Sequence, residues 1–249
     1  MDVVALPRPQ EQRWQAFQVR YLNDLGVICG LTQEADCLGV FPADQRPSVR
    51  CSGARTQRAF DLARQLTAEG CRGLLSFGTA GGLTADLKPG AVVIPQSVAV
   101  DDGRVYETSE PWRDSVLRGL ADAEAIDTRT MASTDAVVTT VAAKRALAAQ
   151  TDAVAVDMES HAVAAAAEEA GVPFLVIRAV ADPVGQAIPD WVLGNITEAG
   201  DPRYGAILAG LLKNPWDLPT LIGLAGDNGK AITALRRVAG HLGPSFGLE

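Results

Sequence analysis

An α/β fold in a single three-layer domain is predicted by three observations. Short, nearly unbroken apolar runs at Leu25–Leu31, Leu74–Leu83 and Phe174–Val180 read as buried strands. Segments of helical composition stand between such runs, the clearest being the Ala-rich stretch His161–Ala170. Gly and Pro mark the joints, as at Gly171, Val172 and Pro173, where a helix has to stop. Buried strands alternating with helices stack as helix, sheet, helix. With 249 residues, 47% of them hydrophobic and 21% charged, the chain is long and apolar enough to bury that core. We divide it into an N-terminal arm over 1–24, one α/β domain over 25–200, and a C-terminal helical extension over 201–249 packed on the same domain.

Charge and cysteine usage narrow the function. The net charge of −8 argues against nucleic acid as the main partner, because phosphate binding needs a basic surface. Cys29, Cys37, Cys51 and Cys71 form no CxxC pair and have no His at ligand spacing. They read as buried thiols of a reduced, cytoplasmic protein, with no metal site and no cofactor. The N-terminus has no apolar stretch of signal-peptide type, and no segment reaches the ~18 unbroken apolar residues of a membrane span.

In chain order, Trp14, Phe17 and Tyr21 fall on one face of a short helix that docks on the domain, after a loose start at Leu6–Pro9. Leu25–Leu31 is the first strand, and Ala35–Phe41 begins a helix. Val49–Arg58 holds a second strand and a Ser52–Gly53 turn, followed by a helix through Leu66. A strand from Leu74 runs into a turn at Gly78, Thr79, Ala80, Gly81 and Gly82, whose small residues let backbone N–H groups approach a ligand oxygen. A strand follows the Pro-Gly turn within Lys88–Val100, and Asp101–Asp114 reads as a polar loop. Leu117–Ile126 reads as a helix and Thr130–Val138 as a strand. Pro189–Arg203 reads as a loop, or a lid over a pocket. Helices are expected at Tyr204–Leu212, Leu218–Leu224 and Ile232–Leu242, with breaks at Pro215, Pro219 and Gly226.

The chemistry concentrates at Asp152–Val184. Asp157, Met158 and Glu159 stand between an apolar run and the Ala-rich helix, and Asp182 closes the strand that follows that helix. Glu159 and Asp182 therefore lie at the ends of neighbouring elements, where α/β sheets form clefts. Singly, each also reads as a helix N-terminal acid or a turn residue before Pro.

Together, DMES at Asp157–Ser160, GVPFLVIRA at Gly171–Ala179 and the Asp at 182 resemble the signature of the nucleoside phosphorylase and nucleosidase superfamily, which includes methylthioadenosine/adenosylhomocysteine nucleosidase. GTAGGL at Gly78–Leu83 resembles that family's glycine turn, and the likeness covers roughly Gly26–Val184. MESHAV, RAVADP and the ending DLPTLIGLAGDNGKAITALRRV resemble the hopanoid-associated phosphorylase branch. The resemblance implies a mixed, twisted sheet flanked by helices, and a homo-oligomer with its pocket near a subunit interface. It implies cleavage of a purine N-glycosidic bond, with Asp182 as the acid at the base and Glu34 as the base for water. Asp182 would have to keep a proton near neutrality through burial.

Glu159 would accept hydrogen bonds from the ribose hydroxyls, with Met158 packed on the sugar. Gly78, Thr79, Ala80 and Gly81 would line the nucleophile or phosphate pocket, and Val137 and Ala181 the base pocket. Val137 stands where the nucleosidases carry an aromatic, Ala181 where they carry Ser, and His161 where they carry a small residue. His161 reads foremost as a structural histidine. Phosphate as co-substrate would call for converging arginines, for which Arg55 and Arg178 stand near the family's turns. Three readings follow: adenine release from adenosylhopane in hopanoid lipid biosynthesis, with peripheral contact at the inner membrane; cleavage of a small nucleoside such as methylthioadenosine; and non-catalytic nucleoside binding.

Overall fold

A computed structural model describes residues 24–121, 125–193 and 204–248. The expected helix at Trp14–Tyr21 and most of the expected Pro189–Arg203 loop lie outside the described residues. Ten strands among the described residues form one mixed sheet: β1 (Leu25–Cys29), β2 (Ser48–Cys51), β3 (Gly73–Gly82), β4 (Val92–Val93), β5 (Ser97–Val100), β6 (Val105–Glu107), β7 (Ile126–Asp127), β8 (Met131–Ser133), β9 (Ala155–Asp157) and β10 (Phe174–Asp182). The helices are α1 (Thr32–Ala35), α2 (Thr56–Ala68), α3 (Glu110–Leu120), α4 (Val141–Thr151), α5 (Ser160–Ala170), α6 (Asp190–Leu193), α7 (Tyr204–Lys213) and α8 (Leu218–Leu242).

Alternation along the central strands builds the three layers. Leu25, Val27, Leu75, Phe77, Leu175 and Ile177 face a core shared with α3 and α8. Ile28, Leu74, Phe174, Val176 and Val180 face the opposite core, shared with α2 and α5. Side chains of a strand point alternately to its two faces, so a strand apolar throughout must be covered on both. The expected mixed sheet between helices is therefore observed.

The sheet forks at β3. Its first half pairs in parallel with β1, from Leu25↔Gly73 to Ile28↔Ser76. Its end pairs antiparallel with β9, at Gly81↔Val156 and Gly82↔Ala155. On its other side β3 pairs in parallel with β10 along most of its length, and β10 in turn pairs with β4.

Several expectations need correction. The glycine-rich segment at 78–82 is not a turn but the continuation of β3, paired with β10 on one side and, from Gly81, with β9 on the other. The polar stretch 101–114 contains β6 and the start of α3, so the helix expected at 117–126 begins earlier. Pro111 is tolerated in the first helical turn, and Trp112, Val116 and Leu120 are the buried face behind the polar residues. Lys88–Val100 holds two short strands, β4 and β5, with Ile94–Gln96 between them. The strand expected at 130–138 ends at Ser133. α4, for which no element was expected, is capped by Thr140, whose Oγ1 accepts from Ala143 N at 3.1 Å. α8 runs unbroken through Gly226, and its second half buries Ala231, Leu235 and Val238 against the sheet.

The C-terminal residues close this core. Phe246 is fully buried between Phe41 and Phe77 in edge-to-face geometry, and its carbonyl accepts from the Trp112 indole at 2.7 Å. Phe246→Ala is expected to lower unfolding stability by about 3–5 kcal/mol, read by denaturant titration. A loss below about 1 kcal/mol would mean that the tail does not contribute to the core.

Candidate active site

The fork in the sheet makes a cleft. Between Ser76, where β1 leaves β3, and Gly81, where β9 joins it, one side of β3 has no strand partner. A cleft of about 500 Å³ opens there. Glu34, Thr79, Ala80, Gly81, Met158, Glu159, Asp182 and Val137 line it, so eight of the ten residues singled out from the sequence converge on one surface.

Glu34 is brought in by α1, the single turn after β1, and is 2% exposed. Its Oε2 accepts from the N–H groups of Gly30 and Leu31, each at 2.9 Å. Its Oε1 accepts from Thr79 N and Thr79 Oγ1, each at 2.7 Å. These four bonds tie α1 to β3 across the gap and hold the carboxylate at the cleft wall.

Arg178 is the hub of the site and is 1% exposed. It stands opposite Gly78 in the β3–β10 register, and its guanidinium lies over that glycine. A Cβ at position 78 would come within 2.5 Å of both Arg178 Nη1 and Glu34 Oε2, so only glycine fits. Arg178 Nη2 pairs with Asp157 at 2.5 Å and Glu159 at 3.2 Å, and donates to Ser76 Oγ at 2.7 Å. Nη1 donates to the Thr79 carbonyl at 3.3 Å. Burial opposes the arginine's charge, but Asp157, Glu159 and Glu34 outweigh it and raise its pKa. Asp157 also accepts from the Ser160 hydroxyl, whose oxygen lies 3.0 Å from Ser76 Oγ.

Three carboxylates thus surround one cation, and Glu159 bears the imbalance. Burial lifts its pKa from 4.5 to about 7; Arg178 lowers it, while Asp157 and Glu34 raise it. Gly30 is packed tightly here, since a Cβ would lie 2.7 Å from Glu159 Oε1.

At the other end of the cleft, Asp182 follows a register shift after Val180. Burial raises its pKa, and the ammonium of Lys144 opposes that rise. The burial needed for Asp182 to hold a proton is therefore present, with a countercharge attached.

Gly78 and Ala181 do not line the cleft. Gly78 lies beneath the Arg178 guanidinium, and Ala181 faces the core shared with α3 and α8, on the same side of β10 as Ile177 and Ala179. Val137 is at the rim, 43% exposed. His161 is buried, with Nδ1 hydrogen-bonded to Ser133 Oγ at 2.7 Å and Nε2 3.3 Å from Asp135. Arg55 lines the cleft, and Arg178 is paired with Asp157 and Glu159. Sequence reasoning missed Asp157 and Lys144 and gave Arg178 no firm place. An arginine inside the apolar run FLVIRAV was a usable signal, because an interior charge requires partners. Nothing local marks Lys144.

The model of the phosphorylase superfamily matches residues 47–201. Methylthioadenosine/adenosylhomocysteine nucleosidase from Neisseria meningitidis, solved with methylthio-immucillin-A, is similar at 19% identity and a TM-score of 0.65, over 89% of this chain and 98% of that one. Futalosine hydrolase of Helicobacter pylori is similar at 16% identity and a TM-score of 0.65, over 89% and 99%. The Helicobacter pylori methylthioadenosine/adenosylhomocysteine nucleosidase, with butyl-thio-DADMe-Immucillin-A, gives 17% and 0.62, over 87% and 97%. No curated protein matches the chain. At these identities the solved structures establish the fold.

The raised Glu159 has a consequence for stability. A carboxyl lifted from 4.5 to about 7 by folding stabilises the protein below its unfolded value, and that contribution is lost as pH rises through about 7. Glu159→Gln is expected to melt a few degrees above wild type near pH ~8.5, on the order of 2 kcal/mol, with the gain gone near pH ~4.5. Parallel melting curves for the two proteins across that range would refute the assignment.

Proposed function

This chain belongs to the phosphorylase superfamily of glycosidic-bond-cleaving enzymes, and on that premise we propose that it releases adenine from a purine nucleoside by hydrolysis. The observation that carries the reading is the single cleft lined by Glu34, Thr79, Glu159 and Asp182. Breaking the bond between ribose and base puts positive charge on the sugar and negative charge on the base. Asp182 would protonate the leaving base at N7, a role that suits a carboxyl whose pKa burial has raised. Glu159, ionised above about pH 7, would accept from the ribose hydroxyls, with Met158 against the sugar.

Water rather than phosphate is favoured as nucleophile by the charge at that end. Glu34, Asp157 and Glu159 surround Arg178, whose guanidinium is already engaged. A phosphate anion entering there would meet more negative than positive charge. Water hydrogen-bonded to Glu34 meets no such barrier, and Glu34 would take its proton once Thr79 Oγ1 yields its place on Oε1.

Adenosylhopane is the proposed substrate. The junction between α7 and α8 exposes Leu212, Trp216, Leu218 and Ile222, with Trp216 at 90%. This junction is tied to the segment after the cleft lip. Trp191, shortly after the cleft residue Ile188, donates to Asp217 at 2.7 Å, and a Cβ on Gly223 would lie 3.3 Å from Gln186. An apolar surface next to the lip suits a nucleoside carrying a long apolar 5′-substituent, and peripheral contact with a membrane. A homo-oligomer in the cytoplasm belongs to the same proposal.

Free adenine is the quantity to measure, from adenosines with a long apolar or a methylthio 5′-group, each with and without phosphate. Release from the apolar substrate without phosphate is expected, with kcat falling about 10²–10⁴-fold in Glu34→Gln and Asp182→Asn. Faster turnover of methylthioadenosine would redirect the assignment to small nucleosides, and strict phosphate dependence would make the enzyme a phosphorylase. No release, with wild type and Asp182→Asn binding nucleoside alike, would leave a binding protein. Trp216→Ser is expected to raise KM for the apolar substrate alone; an equal rise for methylthioadenosine would remove the α7–α8 junction from substrate recognition.

A further inference from the structure

We propose that Lys144 is a positioning residue that sets the acid strength of Asp182, so that the leaving base is protonated by a charge-matched pair rather than by a lone buried carboxyl. This rests on the reading of Asp182 as the acid.

Lys144 stands in the first turn of α4, and its side chain is fully buried. A lysine ammonium has three donors and no acceptor. Here one donor goes to Asp182 Oδ2, one to the Pro183 carbonyl at 3.0 Å and one to the Gln186 carbonyl at 3.1 Å. All three partners belong to the segment that forms the cleft lip. With its donors spent and no exposure, the ammonium has nothing left to offer a ligand, so its effect on the reaction passes through Asp182 and the lip it holds in place. It also occupies Oδ2, which leaves Oδ1 as the oxygen for the base.

Among the described residues, the other elements packed near Asp182 bring no charge to it. β3 presents Gly81 and Gly82, β9 presents Val156, and Lys144 is the charged group that acts on this carboxyl. Glu34, Asp157 and Glu159 are gathered at the opposite end around Arg178.

Consider the proton transfer. The proton leaves Asp182 Oδ1 for purine N7 while the C1′–N9 bond breaks and its electron pair moves into the base. The carboxylate left behind is negative and buried. Without a countercharge the protein would hold the proton too tightly for an efficient acid; with the ammonium already bonded to Oδ2, the product carboxylate is stabilised where it forms. Lys144 thus offsets the rise in pKa that burial imposes.

The test is the pH dependence of kcat for adenine release in wild type, Lys144→Gln and Lys144→Arg. Activity requires protonated Asp182, so kcat falls on the alkaline side as that proton is lost. In Lys144→Gln the alkaline limb is expected to move up by at least ~1 pH unit and the plateau to fall about 10–100-fold, because a weaker acid keeps its proton longer. Lys144→Arg restores the charge and should return the limb towards wild type. An unmoved limb in Lys144→Gln, whatever its stability, overturns the proposal, since a purely structural lysine would lower yield or melting temperature without changing the profile.

A second measurement needs no turnover. The infrared band of the protonated Asp182 carboxyl, identified as the band absent from Asp182→Asn, should persist to higher pH in Lys144→Gln than in wild type. Coincident titrations would overturn the proposal. If wild type releases no adenine at all, the functional reading falls, while the infrared titration still decides whether Lys144 governs the proton on Asp182.

Discussion

Arg178 lies in the middle of β10 with 1% of its surface exposed, and a guanidinium placed there has to be met by charge and hydrogen bonds that water would otherwise supply. Asp157 and Glu159 arrive from the junction of β9 and α5, Ser76 from β3, and Glu34 from the turn after β1. Four segments far apart in the chain are thereby drawn to one point. Two glycines are part of the same constraint, since a side chain at position 78 would occupy the guanidinium's place and one at position 30 would strike Glu159. Removing Arg178 from this buried cluster would leave its carboxylates without a countercharge, typically a loss of about 3–5 kcal/mol. The arrangement is better understood as a way of holding carboxylates at a cleft than as a means of stabilising the fold.

The two ends of the cleft solve different electrostatic problems. At the Arg178 end carboxylates outnumber the cation, and the excess is absorbed by a Glu159 poised near neutrality. At the Asp182 end one carboxyl meets one ammonium. On the proposed roles, with a proton acceptor at the Arg178 end and a proton donor at the Asp182 end, this asymmetry matters, because burial raises both Glu159 and Asp182 while the balance of neighbouring charge differs.

The amino-acid pattern revealed the parts of this molecule whose causes are local. Leu25–Cys29, Gly73–Gly82 and Phe174–Asp182 are apolar on both faces, and a run of that kind has few alternatives to a central strand. Glu159 and Asp182 stand at the ends of apolar elements, which made their convergence legible, whereas Glu34 was reached through the family resemblance. The misreadings have non-local causes. Gly78–Gly82 has the composition of a turn yet is held extended by β9 and β10. Val105–Glu107 is short and mostly exposed, and is a strand because β5 pairs with it. Lys144 sits in an Ala-rich helix that gives no hint of burial, and its role exists only because the lip after Asp182 folds back onto it.

The strand at the middle of the sheet comes late in the chain. β10 lies between β3 and β4, paired in parallel with one and antiparallel with the other, although about 80–100 residues separate it from both. Until the chain has been made past Asp182, the slot between β3 and β4 has no strand to fill it. Arg178 enters that slot together with the strand that fills it, so the carboxylates that await it have no countercharge until synthesis of the domain is nearly complete. The cleft and the complete sheet both require β10, and a chain that lacks it has neither.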